Sequence, residues 1–267
     1  MTAPSQKIAA FRRFLLSWYA EHKRDLPWRK TTDPYHILVS EVMLQQTQVD
    51  RVIPKYRTFL DTFPMMEALA KASPAAVLKA WSGLGYNRRA LYLQQAAQQI
   101  VAQGNFPQTA EELQQLPGIG AYTSRSLLIF AFNKDEAAID TNIRRILIHE
   151  FGLSEESSAE ELLELARKLL PSGKSRDWHN ALMDYGALHL TAKSSGIRPL
   201  SRQSRFQGSR RQYRGAVLKV LVDGKNPTLQ QLARQWQKEK SWIKELLQEM
   251  EKEGLLQLRE GRVFFKQ

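Results

Sequence analysis

From residue 7 to about 190, apolar residues recur at intervals of three and four, and short Gly, Pro, Asn or Asp interruptions separate the runs. The pattern predicts roughly ten helices and no strand in this part of the chain. One run, "TAEELQQL", offers Thr109 as an N-cap with Glu112 three residues on, the spacing of a capping box. Beyond Lys193 the pattern changes. Three further helical runs follow at about 211–223, 228–238 and 241–253, the second opened by Thr228 and the third by Ser241, with Gly254 placed to end the third. The closing "LLQLREGRVFFKQ" reads as two short strands around a turn at Glu260–Gly261.

Three helices and a hairpin is the order of a winged helix-turn-helix, a module that binds DNA or serves as a packing and protein-contact unit. A basic run leads into it. Between Lys193 and Lys219 there are eight Lys/Arg and no acid, and the tail from Lys193 to Gln267 carries a net charge of +10. The run reads as a solvated linker or as a DNA-facing segment.

The 267-residue chain is formally +12, which favours a polyanionic partner, nucleic acid before membrane. It has no cysteine, so disulfides, thiol chemistry and cysteine-held iron–sulfur clusters are excluded. The five histidines are scattered without ligand-like spacing, so no metal site is expected. The N-terminal stretch reads as an amphipathic helix interrupted by Arg12 and Arg13 rather than a signal peptide, and no run approaches the roughly 20 apolar residues that cross a bilayer. A soluble, cytoplasmic monomer is the expectation.

The stretch "LPGIGAYTSRS", Leu116 to Ser126, places Gly118 and Gly120 in a tight turn between two helical runs. Glycines there permit positive φ and a close backbone approach. The amides of Ile119, Gly120 and Ala121 would then point outward from a helix N-terminus, a phosphate site needing no side-chain charge. Taken alone, the turn is as well read as an ordinary helix–helix connection. Twenty residues after Gly120, in "AAIDTNIRRILIHEF", Asp140 opens a helix with Ile143, Ile146 and Leu147 on one face. Alone, Asp140 is an N-cap. Hairpin, helix and Asp at that interval are more specific together.

The combination resembles the helix-hairpin-helix–Gly/Pro–Asp (HhH-GPD) superfamily of DNA base-excision glycosylases, which includes endonuclease III and the MutY adenine glycosylases. The resemblance spans about residues 8–190. It implies an all-α, two-lobed fold with the DNA in the cleft between lobes, the first helix returning to pack with those after the Asp. It also implies that the hairpin amides grip a DNA phosphate and that Asp140 faces the sugar of a flipped nucleotide. The expected division is a glycosylase domain over 1–192, with a six-helix lobe at about 31–140 and a second lobe from 1–30 plus 141–192. A basic linker at 193–214 and a small C-terminal winged-helix-like module at 215–267 complete it.

In "ILVSEVMLQQTQV", residues 37–49, Glu41 interrupts a nearly all-apolar run. Helical geometry puts Gln45 on its face one turn on and Gln46 about 100° around. A Glu in such a run is a structural ion pair or a tuned acid. "SEVMLQQTQV", "LPW" at 26–28 and "GLGY" at 83–86 are similar to MutY motifs almost letter for letter. Endonuclease III-like relatives carry a lysine two residues after the second hairpin glycine; here that position is Tyr122, so no Schiff base forms there. The resemblance therefore implies a monofunctional hydrolase. Glu41, held protonated, would donate to adenine, Asp140, ionised, would stabilise the oxocarbenium-like sugar, and Asn142 and Tyr122 would orient them. Gln45, Gln46 and Tyr86 resemble wedge residues that fill the stack and press on the opposite base, although Tyr86 also suits a core aromatic. Arg88, Arg89, Arg205, Arg210 and Arg211 are the accompanying candidates for DNA contact.

Three departures qualify the likeness. The four iron–sulfur cysteines of MutY-type enzymes fall, in register, on Leu190, Ile197, Leu200 and Phe206, a set that suggests an apolar plug. The chain is too short for the Nudix-like domain that recognises 8-oxoguanine in larger relatives. Asn87 stands where a second aromatic is common. No cofactor is expected, with room left for a monovalent cation at the hairpin. Double-stranded DNA is the expected partner, and the target is adenine opposite 8-oxoguanine or G, with hypoxanthine, or uracil or thymine opposite G, as the alternative. A catalytically silent lesion-binding protein is the remaining reading.

Overall fold

The structure, a computed structural model, describes residues 3–199 and 205–266. The chain is helical until its last hairpin. The order is α1 (Ala3–His22), a 3-10 turn (Pro27–Arg29), α2 (Pro34–Leu44), α3 (Val49–Thr62), α4 (Met66–Lys71), α5 (Pro74–Trp81) and α6 (Arg88–Gln103). Then come α7 (Ala110–Gln114), α8 (Ala121–Phe132), α9 (Thr141–Phe151), α10 (Ala159–Leu169), α11 (Ser175–Leu188) and the short α12 (Ala192–Ser195). The tail forms α13 (Arg210–Val222), α14 (Leu229–Trp236), α15 (Lys240–Lys252), β1 (Gln257–Arg259) and β2 (Arg262–Phe264).

Two compact units result. One holds residues 1–37, 107–115 and 119–202, the other 38–106, 116–118 and 203–267. These boundaries differ from those drawn on the sequence. Residues 119–140 join the first unit because α8 packs on α11. The tail joins the second because α13 packs on α5.

In the first unit, α1 supplies Phe11 and Leu15 to a core shared with Ile143, Ile146 and Leu147 of α9, Leu162 and Leu169 of α10, and Trp178 and Leu182 of α11. Each fully buried side chain of this size contributes about 2 kcal/mol. Asp184 is buried with no exposed surface, yet four donors satisfy it: the Arg24 amide (2.9 Å) and Nε (2.6 Å), and two Arg29 nitrogens (2.7 and 2.8 Å). These bonds outweigh burial and hold its carboxyl below the usual carboxylate range, tying the "LPWR" turn to α11.

In the second unit α4 and α6 pack together, and α14 and α15 form the helix pair of the tail. Glu260 and Gly261 both take left-handed φ (48° and 73°), the geometry of a two-residue hairpin turn, and pair Leu258 with Val263. Thr228 caps α14 in a full capping box with Gln231. Ser241 does not open α15, which starts at Lys240 after Glu239 and has no side-chain cap. Gly254, at φ 77°, follows its last turn. At α7 the box is one-sided. The Thr109 hydroxyl accepts from the Glu112 amide, but the Glu112 carboxylate accepts from the amide of Gln108, one residue early.

His179 of α11 is buried, and burial lowers its pKa to about 4. Its Nδ1 donates to the Ser175 carbonyl at 2.8 Å, leaving Nε2 to accept the Ala138 amide at 3.2 Å, two residues before Asp140. The unfolded chain takes up this proton near pH 6.5 and the folded one only near 4. Stability from this group is complete above about 6.5 and falls by about 3 kcal/mol as the pH drops to 4. Thermal unfolding of the wild type should show that loss between pH 6.5 and 4, and His179→Asn should flatten it.

Candidate active site

The hairpin turn between α7 and α8 uses its two glycines differently. Gly118 has φ 78°, and a Cβ there would stand 2.8 Å from Cβ of Tyr92, so both conformation and space demand glycine. Gly120 is extended (φ −94°, ψ −178°), a conformation open to any residue, and a Cβ there would meet nothing within 4 Å. Only one glycine therefore supplies the positive φ expected of both. Ile119 buries its side chain as an anchor, Ala121 is exposed, and no side chain caps the first turn of α8. Tyr122, half-buried, lies on that first turn.

Asp140 is the N-cap of α9 and more. One oxygen accepts the Ile143 amide at 2.7 Å, and the other accepts Nδ2 of Asn142 at 3.0 Å. The Asn142 carbonyl in turn accepts from Arg145 at 2.6 Å. Arg145 is buried and pinned by the carbonyls of Leu190 (2.6 Å) and Gly186 (2.9 Å). Gly186 lets α11 come this near, since a Cβ there would lie 2.8 Å from Cβ of Asn142. Asp140 and Asn142 are thus brought together as expected, by an arginine that sequence reasoning passed over. Its signal was legible in "NIRRIL", where the second arginine falls one turn after Asn142. Burial raises the Asp140 carboxyl above its ordinary range, opposed by the Ile143 amide, Asn142 and the charge of Arg145. A side chain expected to be fully ionised is instead under pressure to hold its proton.

Glu41 belongs to the other unit. It is the one acid of α2, 9% exposed, in a helix whose Leu38, Val39 and Met43 have no exposed surface. Asp33 starts that helix by accepting the amides of Tyr35 (2.7 Å) and His36 (3.2 Å). α2 ends at Leu44, so Gln45 and Gln46 stand on a turn rather than on the helical face expected for Gln45. Gln46 takes φ 55° and Tyr86, in the "GLGY" turn, φ 46°. Left-handed φ is uncommon for such residues and is kept where surrounding structure over-determines it.

Arg89 is that surrounding structure. Its guanidinium donates to the carbonyls of Val42, Met43 and Gln45, to the Thr47 hydroxyl and to the Gly85 carbonyl, and lies against the rings of Trp81 and Tyr86. Burial lowers its pKa to about 10. Offered as a DNA contact, Arg89 faces inward and locks the two turns together. Arg88 is exposed and stacks over Tyr92, and Arg205 is exposed. Arg210 pairs with Glu249 (2.9 Å), whereas Arg211 reaches the Tyr86 hydroxyl.

Of the four positions in the iron–sulfur register, Leu190 is buried and Ile197 packs on the same core, while Phe206 is 61% exposed. Leu200 lies outside the described residues. The apolar plug is thus carried by two of them, and without thiolates these residues do not fit a cluster. Among the described residues no three His, Cys, Asp or Glu are grouped to hold a metal, and no helix is long and apolar enough to cross a membrane.

A hairpin opening an uncapped helix, followed by a half-buried Asp that caps the next helix, is the arrangement expected of a helix-hairpin-helix DNA repair protein. The match is to a specific family: residues 39–172 fit the model of the HhH-GPD superfamily of base excision DNA repair proteins, and the chain belongs to it. It is 39% identical over 236 residues to an adenine DNA glycosylase of Mycolicibacterium smegmatis, covering 80% of each chain. It is 42% identical over 195 residues to the adenine DNA glycosylase of Rattus norvegicus, covering 67% of this chain and 38% of that larger protein. The structure of a thermostable thymine-DNA glycosylase superposes with a TM-score of 0.67 at 32% identity, covering 71% of this chain and 90% of the other.

Two outcomes follow from this geometry. The raised Asp140 carboxyl means that ionising it withdraws stability as the pH rises through and beyond the ordinary carboxylate range. The Tm of Asp140→Asn relative to wild type should therefore climb over that range, measured by calorimetry; a flat difference would show an unperturbed carboxyl. Gly118→Ala should lower the Tm markedly, because both φ and the Tyr92 contact forbid the methyl, whereas Gly120→Ala should leave it nearly unchanged.

Proposed function

We propose that the protein is a monofunctional adenine DNA glycosylase, hydrolysing the N-glycosidic bond of an adenine flipped out of mispaired or damaged duplex DNA. The observation that carries the reading is Glu41, an acid retained in the middle of a buried apolar helix. Apolar burial favours the neutral carboxyl, and a purine leaving group needs a proton from such a donor. The 39–42% identity to named adenine DNA glycosylases supports it.

In the proposed reaction Glu41 protonates the adenine ring as the glycosidic bond lengthens. Asp140, as the carboxylate, stabilises the positive charge that develops on the sugar; water then adds to the sugar carbon, and the proton it loses restores the Glu41 carboxyl. Arg145 holds Asn142, and Asn142 holds one Asp140 oxygen, so the carboxylate stays aimed. The uncapped first turn of α8, kept clear by Gly120, receives a DNA phosphate, with Tyr122 beside it. Gln46 and Tyr86 occupy the space the adenine leaves. The chemistry calls on no cofactor, and a monovalent cation at the hairpin would only neutralise phosphate. A monomer on double-stranded DNA in the cytoplasm completes the proposal.

The thymine-DNA glycosylase likeness favours one second reading, release of uracil or thymine opposite G. Single-turnover excision separates the two, on duplexes with A opposite 8-oxoguanine, G and C, and with hypoxanthine, uracil or T opposite G. Adenine release that falls by about 10²–10⁴-fold in Glu41→Gln and vanishes in Asp140→Asn is the expected outcome. Pyrimidine release indifferent to Glu41→Gln would establish the second reading. Binding without release of any base would leave a silent lesion binder.

A further inference from the structure

Tyr86 is fixed at both ends. At its backbone, the Arg89 amide donates to the Tyr86 carbonyl at 2.9 Å and maintains the left-handed φ. At its tip, the hydroxyl accepts from Arg211 at 2.6 Å. Both guanidinium groups also lie near the ring, at 5.5 Å for Arg89 and 5.6 Å for Arg211. The residue is 37% exposed, a large aromatic held at the surface rather than folded into the core.

The two arginines are far apart in the sequence. Arg89 is in the first turn of α6, next to the "GLGY" turn. Arg211 comes from α13, the first helix of the C-terminal module. The geometry of α13 explains why Arg211 alone turns to Tyr86. Arg210 and Arg214, one helical turn apart, both face the C-terminal end of α15, where Glu249 and the capping residue Glu253 pair with them. Arg211 lies about 100° around the helix from Arg210, and α13 itself rests on α5, the helix that runs into the "GLGY" turn.

We propose that the C-terminal module serves the active site through Arg211, a positioning residue that clamps the Tyr86 ring and thereby sets how strictly the base opposite the excised one is read. The proposal rests on the glycosylase reading above. A tyrosine held at its carbonyl and its hydroxyl cannot swing about χ1 to accommodate different partners, so it presents one plane to the opposite base. With the hydroxyl released the ring regains its rotamers, and bases of different size or substitution become harder to tell apart. Binding energy is retained in such a change while discrimination is lost.

A plain phosphate contact by Arg211 would act differently, through charge alone. Lysine keeps the charge but has neither the planar fork nor the stacking face. The test compares Arg211→Met, Arg211→Lys, Tyr86→Phe and the Met/Phe double variant on intact protein. The first readout is the ratio of single-turnover excision rates for A opposite 8-oxoguanine and A opposite C. The second needs no catalysis: fluorescence of 2-aminopurine placed opposite a tetrahydrofuran abasic analogue, which reports how a ring stacks on the opposite base.

Each single variant should reduce the rate ratio by about tenfold, the range of one charge-assisted hydrogen bond. Arg211→Lys should do so as well, and the double variant should be no worse than either single one. The 2-aminopurine signal should shift in the same way in all four. Full rescue by lysine, additive losses in the double variant, or an unchanged fluorescence signal would each overturn the clamp. If the wild type releases no adenine but the fluorescence pattern follows expectation, the adenine reading fails and the clamp stands.

Discussion

The guanidinium of Arg89 lies among oxygen acceptors from two separate turns, and the two turns are arranged around it. It takes carbonyls that end α2, the Thr47 hydroxyl beyond them and the Gly85 carbonyl of the "GLGY" turn. A helix ending leaves carbonyls without intrahelical partners, and here one cation collects several of them. The result is that Gln46 and Tyr86, both in a backbone conformation costly for their residue types, are held relative to each other. Without this cation the two turns would relax independently, and the rigid ring at residue 86 would have no base. Its burial and its lowered pKa are the electrostatic counterpart of that role.

The first unit uses an arginine in a comparable way but for a different end. Arg145 does not touch Asp140 by hydrogen bond; it fixes Asn142, which does. Asp140 then sits between opposed influences, burial favouring its proton while an amide, a carboxamide and a nearby charge favour its release. Such a balance suits a carboxylate that must stabilise charge only when charge appears. His179 fixes the backbone two residues before Asp140, and its neutral state is a precondition for accepting the Ala138 amide.

Much of this was legible in the sequence because it depended on local rules. Helical periodicity, the Thr228 cap, the Glu260–Gly261 turn and the Asp140 cap each needed only a few neighbouring residues. What escaped was set by long-range packing. Arg89 read as a basic residue near a binding motif, and nothing within several positions shows that α2 ends beside it. The short α2 followed from the same contact, so Gln45 left the helical face assigned to it. Arg145, His179 and Gly186 act across more than 35 residues of sequence, and the tail joined the second unit through α5 rather than standing apart. The apolar register of the lost cysteines was half informative: Leu190 and Ile197 entered the core, and Phe206 did not.

Gly118 and Gly120 are two residues apart and identical, yet they answer to different constraints. The first is imposed from inside the molecule, by φ and by Tyr92. The second is imposed by nothing within it, since its backbone is ordinary and the space above it is vacant. Folding alone would accept any small residue there. Under the proposed function that open spot is left to recognition, so stability and recognition, entangled at most positions of a packed protein, come apart at this one.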